Sequence, residues 1–251
     1  MAPLDGKTIL VTGASGGIGR AIVKALAADG ARPLIHYGRD QEAAISLNDE
    51  IGGKGVVIGA DLASSEGALE LWAKAVAAAG RIHGLVNNAG SLGRVGIEAD
   101  TEVWQAIWQR DFQINFFAAV DLSKQAICHF KEFDGGHIVN IASRAGQRGY
   151  SADAMAYGAS KAALINLTKS IARSFGPDRV TAVAIAPGWV STDMAEEFVA
   201  KHGKQAAVGD IPIGEMADPS EVAELVAFTF RSTQASLNGA TLDVNGGSYI
   251  R

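Results

Sequence analysis

A tyrosine and a lysine stand four residues apart in the run Tyr157-Gly-Ala-Ser-Lys161. Residues at i and i+4 share one helical face, so the ammonium is expected near the phenol, lowering a pKa that is ordinarily about 10. Such a tyrosine exchanges protons near neutral pH. Ser143 follows a predicted strand and belongs at the same sheet edge as the start of this helix. The pattern predicts acid–base chemistry; a solvated helix pair is the alternative.

A glycine-rich turn joins the first predicted strand to the first predicted helix and reads TGASGGIGR over residues 12–20. Gly13 permits a tight turn, Gly17 lets backbone approach a pyrophosphate, and Gly19 allows close packing of helix on strand. The N-terminus of the following helix attracts phosphate. The spacing differs from G-x-G-x-x-G, so a plain tight turn is the alternative for this motif taken alone.

Polar and small residues also follow the third and fourth predicted strands, as Asp61-Leu62 and Asn88-Ala89-Gly90. An aspartate there accepts from an adenine amine, while small residues let a flat ring or a ribose lie against the backbone. Open parallel sheets bind ligands at the carboxyl ends of their strands. We therefore expect these motifs to converge on one cleft, with simple turn capping as the alternative for each.

Positioning these motifs requires strands that all end at one edge. Short β-branched runs predict seven strands, at residues 8–11, 33–37, 55–60, 82–86, 137–141, 180–186 and 241–244. Helical periodicity lies between them at 18–28, 41–51, 65–79, 102–130, 154–175 and 219–231, with a short helix near 193–202. This alternation predicts an α/β fold: a doubly wound, Rossmann-type sheet of about seven parallel strands with helices on both faces.

The predicted strands, helices and connecting loops of one such sheet account for all 251 residues, and the sequence contains neither a linker nor an internal repeat. The sequence therefore predicts a single dinucleotide-binding and catalytic domain over 1–251. The irregular stretch at about 188–218 is predicted to be a substrate loop or lid, because loops of that length in compact domains are usually functional.

The composition limits which binding partners and which cellular location are expected. The formal net charge is −5 and gives no basic footprint for nucleic acid or an anionic membrane, so neither is an expected partner. Cys128 is the only cysteine, which excludes an internal disulfide and favours a cytoplasmic location. The N-terminus lacks the pattern of a signal peptide. The five histidines lack ligand spacing, so no metal site is expected.

Taken in order, these motifs closely resemble the short-chain dehydrogenase/reductase family from Lys7 to Tyr249, and in general pattern its 3-oxoacyl-carrier-protein reductases and related bacterial carbonyl reductases. The positions that carry the resemblance are Thr12, Gly13, Gly17, Gly19, Asp61, Asn87, Asn88, Ala89, Gly90, Asn115, Ser143, Tyr157, Lys161, Pro187, Gly188 and Thr192. No single motif is specific, but their ordered combination is.

The resemblance implies a role for each catalytic residue. Tyr157 is the acid and base, Ser143 hydrogen-bonds the reacting oxygen, and Lys161 holds the nicotinamide ribose and lowers the Tyr157 pKa. Asn115 positions a water behind Lys161; an exposed helix asparagine is its alternative interpretation. The implied cofactor contacts are Gly13, Ser15, Gly17, Ile18, Gly19, Arg39, Asp61, Leu62, Asn88, Ala89, Gly90, Tyr157, Lys161, Pro187, Gly188, Val190 and Thr192.

Cofactor choice depends on the end of the second predicted strand. An acidic residue there would accept from the 2′-hydroxyl of NAD, but this chain has Tyr37, Gly38 and Arg39. Because Arg39 suits a 2′-phosphate, NADP(H) is favoured over NAD(H). Gly16, where many NADP-preferring relatives carry a basic residue, and the nearby Asp40 weaken this preference.

The implied function is an NAD(P)(H)-dependent oxidoreductase that moves a hydride between nicotinamide and a ketone or secondary alcohol, a 3-oxoacyl thioester among them. The alternatives are a dinucleotide-binding regulatory protein without turnover and an NAD-dependent alcohol dehydrogenase working oxidatively. An extended-family epimerase or dehydratase is weakened by the lack of a second domain. The resemblance also implies a homotetramer built through helices 102–130 and 154–175.

The substrate is not identified by the sequence beyond a small carbonyl compound or alcohol. Candidate pocket walls, each of which is more often plain core or solvated surface, are residues 145–147, Tyr150, Trp189, Met194 and Phe198. Candidate partners for an anionic group are Arg94, Arg144 and Arg148.

Overall fold

A computed structural model describes residues 2–251, apart from the side chain of Met194. Its strands are β1 (Thr8–Val11), β2 (Arg32–Tyr37), β3 (Val56–Gly59), β4 (Gly84–Asn87), β5 (Gly136–Ile141), β6 (Val180–Pro187) and β7 (Thr241–Val244). They form one sheet in the order β3-β2-β1-β4-β5-β6-β7, and every neighbouring pair is parallel. This architecture confirms the predicted doubly wound sheet.

Ten α-helices connect or follow the strands. They are α1 (Gly17–Ala28), α2 (Gln41–Glu50), α3 (Gly67–Ala79), α4 (Thr101–Phe112), α5 (Ala118–Glu132), α6 (Ala145–Arg148), α7 (Met155–Phe175), α8 (Asp193–His202), α9 (Lys204–Val208) and α10 (Pro219–Thr229). The short helix predicted near 193–202 is α8. The short helices α6 and α9 were not predicted, because four or five residues are too few to show a helical period.

The prediction of one continuous helix at 102–130 is wrong, because the helix is interrupted. A π-helical segment, Gln113–Phe117, separates α4 from α5. Asn115 lies inside it with 1% of its surface exposed, so the interpretation of Asn115 as an exposed helix residue is also wrong. Its amide is fully engaged by buried partners, and π segments of one turn inside α-helices recur at functional sites. A hydrophobic period alone does not reveal such an insertion.

Each face of the sheet carries its own core. Along β1 the side chains alternate, with Ile9 and Val11 in one core and Leu10 in the other. The first core is completed by α1, α2 and α10, and the second by α3, α5 and α7. Because strands such as β1 and β4 are buried along their whole length, they appear in the sequence as continuous apolar runs.

The chain builds β1, β2 and β3 outward and then returns to place β4 on the other side of β1. Such a reversal opens a crevice at the carboxyl ends of the two central strands. The loops after β1 and β4 therefore face each other across it. Among the described residues, no helix combines the length and apolar character needed to cross a membrane.

Candidate active site

A cleft of about 820 Å³ opens at this reversal point. All the predicted cofactor residues line it, in the segments 13–19, 61–62, 88–90 and 187–192 together with Arg39. Ser143, Tyr157 and Lys161 line it as well. Asn115 is the one predicted site residue that lies behind the wall instead. The loops that carry the sequence motifs are thus brought together in one place.

The glycine-rich turn forms a cradle of bare backbone. Gly13 has a φ of 59°, and a Cβ atom there would come within 2.8 Å of the Cα of Ala89. Gly17 has a φ of 52° and faces Thr192, with its Cβ position 3.4 Å from the threonine Cγ2. Gly16 caps α1 and has no side chain to bond the N–H groups of the first turn. That helix end therefore fits the pyrophosphate of a dinucleotide.

Thr12 and Asn88 join the two central loops. The Thr12 hydroxyl accepts hydrogen bonds of 2.9 Å from the backbone N–H groups of Asn88 and Ala89. The Asn88 amide donates in return to the carbonyl oxygens of Thr12 and Gly13, at 2.9 and 3.0 Å. Asn88 therefore shapes the cradle as well as lining it.

His36 is a site residue that the sequence did not reveal. It is 2% exposed near the end of β2 and lines the cleft. Its Nδ1 accepts from the Gly13 N–H at 3.0 Å, so the proton is on Nε2, which donates to the Ala60 carbonyl at 3.1 Å. Burial lowers the His36 pKa, which keeps the ring neutral and suited to this bridge. A histidine within an apolar strand was the only available signal.

Tyr157 and Lys161 occupy the first turns of α7, with Ser143 just beyond the end of β5. The Lys161 Nζ lies 5.8 Å from the centre of the Tyr157 ring. It donates a hydrogen bond of 2.8 Å to the carbonyl oxygen of Ile141. The Ser143 Oγ accepts from the Ala145 N–H at 3.1 Å, and its hydroxyl faces the Tyr157 phenol. The three side chains face one region of the cleft.

The structure does not show the expected lowering of the Tyr157 pKa by Lys161. Burial raises the pKa of Tyr157 to about 12, opposed by the Ser143 hydroxyl. Burial also lowers the pKa of Lys161 to about 8. The removal of both groups from water explains the two directions, since burial disfavours phenolate and ammonium alike. Tyr157 therefore carries its proton at neutral pH.

Asn115 supports the wall from behind. Its Oδ1 accepts from the Ser91 N–H at 2.8 Å, and its Nδ2 donates to the Ser91 carbonyl at 2.8 Å and the Ser160 hydroxyl at 3.0 Å. Ser160 bonds the carbonyl oxygen of Tyr157 at 2.8 Å. Asn115 thus ties the loop after β4 to the turn of α7 that presents Tyr157 and Lys161.

Aromatic and basic residues form the open end of the cleft. Trp189, Tyr150 and Arg144 line it, and the Tyr150 ring lies 5.8 Å from that of Tyr157. The Trp189 ring is 4.6 Å from Phe198 on α8. Of the other candidate pocket residues, Arg94 stacks over Phe198 and pairs with Asp153, and Gln147 bonds Asp243. The Met194 side chain lies outside the described part of the structure.

Arg144 and Arg148 meet one carboxylate on the segment between α9 and α10. The Arg144 Nη1 lies 3.2 Å and the Arg148 Nη1 3.0 Å from Asp210 Oδ2. Arg144 is 3% exposed and immediately follows Ser143. These ion pairs therefore connect the segment that contains Asp210 to the loop that follows Ser143.

The sequence profile of the family described as short chain dehydrogenase matches residues 7–203. The chain belongs to the short-chain dehydrogenase/reductase family. Like other members of this family, it is an oxidoreductase. It is 35% identical over 250 residues to the 3-oxoacyl-(acyl-carrier-protein) reductase FabG of Escherichia coli strain K12, a match that spans 98% of each chain.

Further similarities span the same fold. A 3-oxoacyl-(acyl-carrier-protein) reductase of Synechocystis sp. is 33% identical over 255 residues, covering all of both chains. Among solved structures, a 7α-hydroxysteroid dehydrogenase complexed with NADH and 7-oxo glycochenodeoxycholic acid superposes with a TM-score of 0.90 at 28% identity. That match covers 97% of this chain and 94% of the other. The family therefore includes members with different carbonyl substrates.

Proposed function

We propose that this short-chain dehydrogenase/reductase reduces a ketone to a secondary alcohol with NADPH, and that Tyr157 donates the proton. One observation carries the proposal: a protonated, partly buried Tyr157 lies beside Ser143 and Lys161 in the cleft that the glycine-rich turn also lines. A proton donor, a hydrogen-bond donor and a cation in one wall suit the neutralisation of a developing alkoxide.

Two side chains of the protein act on the substrate oxygen. A bound nicotinamide dinucleotide supplies the hydride chemistry. Ser143 would donate its hydroxyl proton in a hydrogen bond to the substrate oxygen and thereby orient the carbonyl. Tyr157 then transfers the phenolic proton to that oxygen as negative charge develops on it.

Lys161 and Asn115 serve the Tyr157 proton. In its protonated form, the Lys161 ammonium would donate to the ribose hydroxyls of the cofactor and favour the phenolate left after proton transfer. Asn115 has its side chain occupied by Ser91 and Ser160, so we assign it to holding the wall in register. Any role in positioning water would fall to its backbone carbonyl.

Several features favour NADP(H) over NAD(H). Asp40 accepts from the Ala43 N–H at 2.8 Å as the N-cap of α2, so its carboxylate is already in use. Arg39 lines the cleft, is exposed and makes no ion pair with the described residues. A guanidinium without a carboxylate partner suits a 2′-phosphate. The remaining proposed contacts follow the cleft: Asp61 and Leu62 at the adenine, and residues 188–192 at the nicotinamide.

We also propose that residues 1–251 act as one domain whose substrate loop is 188–218. Helices α8 and α9 form a small apolar cluster with Trp189 at the open end of the cleft. The substrate then lies between this cluster and Tyr150, and its identity depends on loop residues. A 3-oxoacyl thioester is one candidate, supported by the reductases that the chain resembles.

A homotetramer is proposed from the surface of α4 and α5. The Trp108 ring stacks on Phe112 at a centroid distance of 6.0 Å and lies 5.8 Å from the tilted ring of Trp104. Val103 on α4 and Phe117 at the end of the π-helical segment are 53% and 48% exposed. Such an apolar stripe is typical of helix packing between subunits. The exposed, unpaired Cys128 suits a cytoplasmic location.

Reduction of a carbonyl panel tests the proposal. Purified protein is mixed with NADPH or NADH and with 3-oxoacyl thioesters, keto acids, cyclic ketones and oxosteroids, and loss of reduced-nicotinamide absorbance is followed. We expect turnover of at least one ketone, faster with NADPH. Cofactor binding without oxidation of any compound would instead indicate a regulatory protein. Turnover only of alcohols with NAD would favour the oxidative alternative.

A further inference from the structure

Asp111 is a buried carboxylate for which the proposed mechanism has no use. It lies near the end of α4, is 0% exposed, and is the only buried aspartate or glutamate among the described residues. The buried cations in the same part of the chain are Lys161 and Arg144, and Arg144 has Asp210 as its partner. Asp111 and Lys161 are therefore two buried residues of opposite charge, both near the active site, and neither forms an ion pair with another described residue.

The Asp111 carboxylate is held by neutral donors only. The Ser91 hydroxyl donates to Oδ1 at 3.0 Å, and the Gly93 N–H reaches Oδ1 at 3.1 Å and Oδ2 at 3.0 Å. None of the ion pairs between described residues includes Asp111 or Lys161. A fully buried carboxylate with no cation in contact is unfavourable unless another charge acts on it through the protein.

Asp111 and Lys161 flank the same short stretch of backbone. A Cβ at Gly90 would lie 3.6 Å from the Lys161 Nζ, so the ammonium is against Gly90. The next residue, Ser91, bonds Asp111 through its side chain and Asn115 through its backbone. The two charges are thus separated by the loop that follows β4, and both side chains are buried. Coulomb interactions are strong in such surroundings.

We infer that Asp111 is a positioning residue that holds Lys161 in its charged form, so that the ammonium is available when Tyr157 gives up its proton. This inference rests on the role proposed above for Lys161. Asp111 does not line the cleft, and its negative charge raises the pKa of both Lys161 and Tyr157. Because the Tyr157 pKa is about 12, the group that titrates between neutral pH and about pH 9 is Lys161. The hydrogen bonds from Ser91 and Gly93 fix the carboxylate on the far side of the loop.

The direction of the expected pH effect follows from the charges around Lys161. Burial lowers the Lys161 pKa, and the negative charge of Asp111 raises it again. The other titratable groups facing this region are Tyr157 on the same helix, which keeps its proton at pH 7, and Tyr150 beside it. Three arginines lie near this region: Arg144 after β5 is paired with Asp210, Arg94 in the loop after β4 is paired with Asp153, and Arg110 on α4 lines the cleft. Loss of the Asp111 charge would therefore lower the Lys161 pKa further.

Asp111→Asn tests the inference through a pH profile. With NADPH and a reducible ketone, kcat/KM is expected to fall on the alkaline side as Lys161 loses its proton. In Asp111→Asn that fall should move about one pH unit lower. Asp100→Asn removes an exposed carboxylate at the start of the same helix and should leave the profile in place. An active Asp111→Asn enzyme with an unshifted profile would overturn the inference.

Lys161→Met provides a second test that does not need turnover. Without the ammonium, Asp111 is a buried carboxylate with no cation acting on it, which destabilises the fold. Adding Asp111→Asn to Lys161→Met removes that charge, so Tm of the double variant should be higher than Tm of Lys161→Met. A double variant whose Tm is no higher than that of Lys161→Met contradicts the inference. Because the readout is thermal, it remains valid if no carbonyl substrate is found.

Discussion

The Nδ1 atom of His36 accepts a 3.0 Å hydrogen bond from the backbone N–H of Gly13. His36→Ala removes this bond and the one to Ala60, leaving Gly13 free to shift. We expect the Kd for NADPH to rise about tenfold, measured by fluorescence titration. His83→Ala is the matched control, because His83 accepts from the Thr8 N–H at the opposite end of β1, at 3.0 Å. His83→Ala should lower Tm and leave the Kd for NADPH unchanged. An equal rise in this Kd in the two variants would argue against a role for His36.

Buried histidines should make the fold sensitive to acid. Burial lowers the pKa of His83 and His137 to about 4, and also lowers that of His36. The unfolded chain takes up protons at about pH 6.5, whereas the folded chain resists them. The contribution of these histidines to the free energy of unfolding is therefore fully present above pH 6.5. It is lost as the pH falls toward 4, by up to about 3 kcal/mol for His137. His137→Leu should flatten the dependence of Tm on pH; an unchanged slope would refute this assignment.

Arg39 and Gly38 should control cofactor choice. Arg39→Ala is expected to raise KM for NADPH about tenfold and to leave KM for NADH nearly unchanged, because only NADPH has the 2′-phosphate. Gly38→Asp fits without a clash, since a Cβ there meets only the Ala60 oxygen, at 4.0 Å. It should shift preference toward NADH. Steady-state kinetics with both cofactors measure this, and parallel changes for the two would contradict the assignment.

Asp210 should hold the substrate loop closed. Asp210→Asn weakens its links to Arg144 and Arg148, so we expect a several-fold higher ketone KM and faster proteolysis within 193–218. Asp134→Asn, which breaks an exposed pair with Arg179, should change neither quantity. The prediction fails if the two variants are cleaved at the same rate.

The fold and the cleft were predictable because their signals are local in the sequence. Buried parallel strands appear as apolar runs, and the glycine turn, Asn88 and Tyr157 each follow a strand end or open a helix. Since parallel strands end at one edge, placing these residues together required only the strand order.

The residues that were missed act through long-range contacts. His36 serves Gly13 from a neighbouring strand, and Asp111 serves a loop about twenty residues away. The sequence does not show which polar side chain inside an apolar segment finds a partner. Likewise, the raised pKa of Tyr157 depends on its burial, whereas the spacing to Lys161 alone suggested the opposite direction. The π segment at Asn115 was hidden within a continuous helical period.

The most direct test of the proposed reaction is the Tyr157→Phe variant. The change removes one hydroxyl and retains the ring, so the NADPH Kd should stay within about threefold of wild type. With a ketone identified from the panel, kcat should fall at least about a hundredfold, because no other group supplies the proton. Tyr249→Phe, which removes a phenol near the C-terminus, should retain wild-type kcat. Tyr157→Phe enzyme that turns over at the wild-type rate would contradict the account.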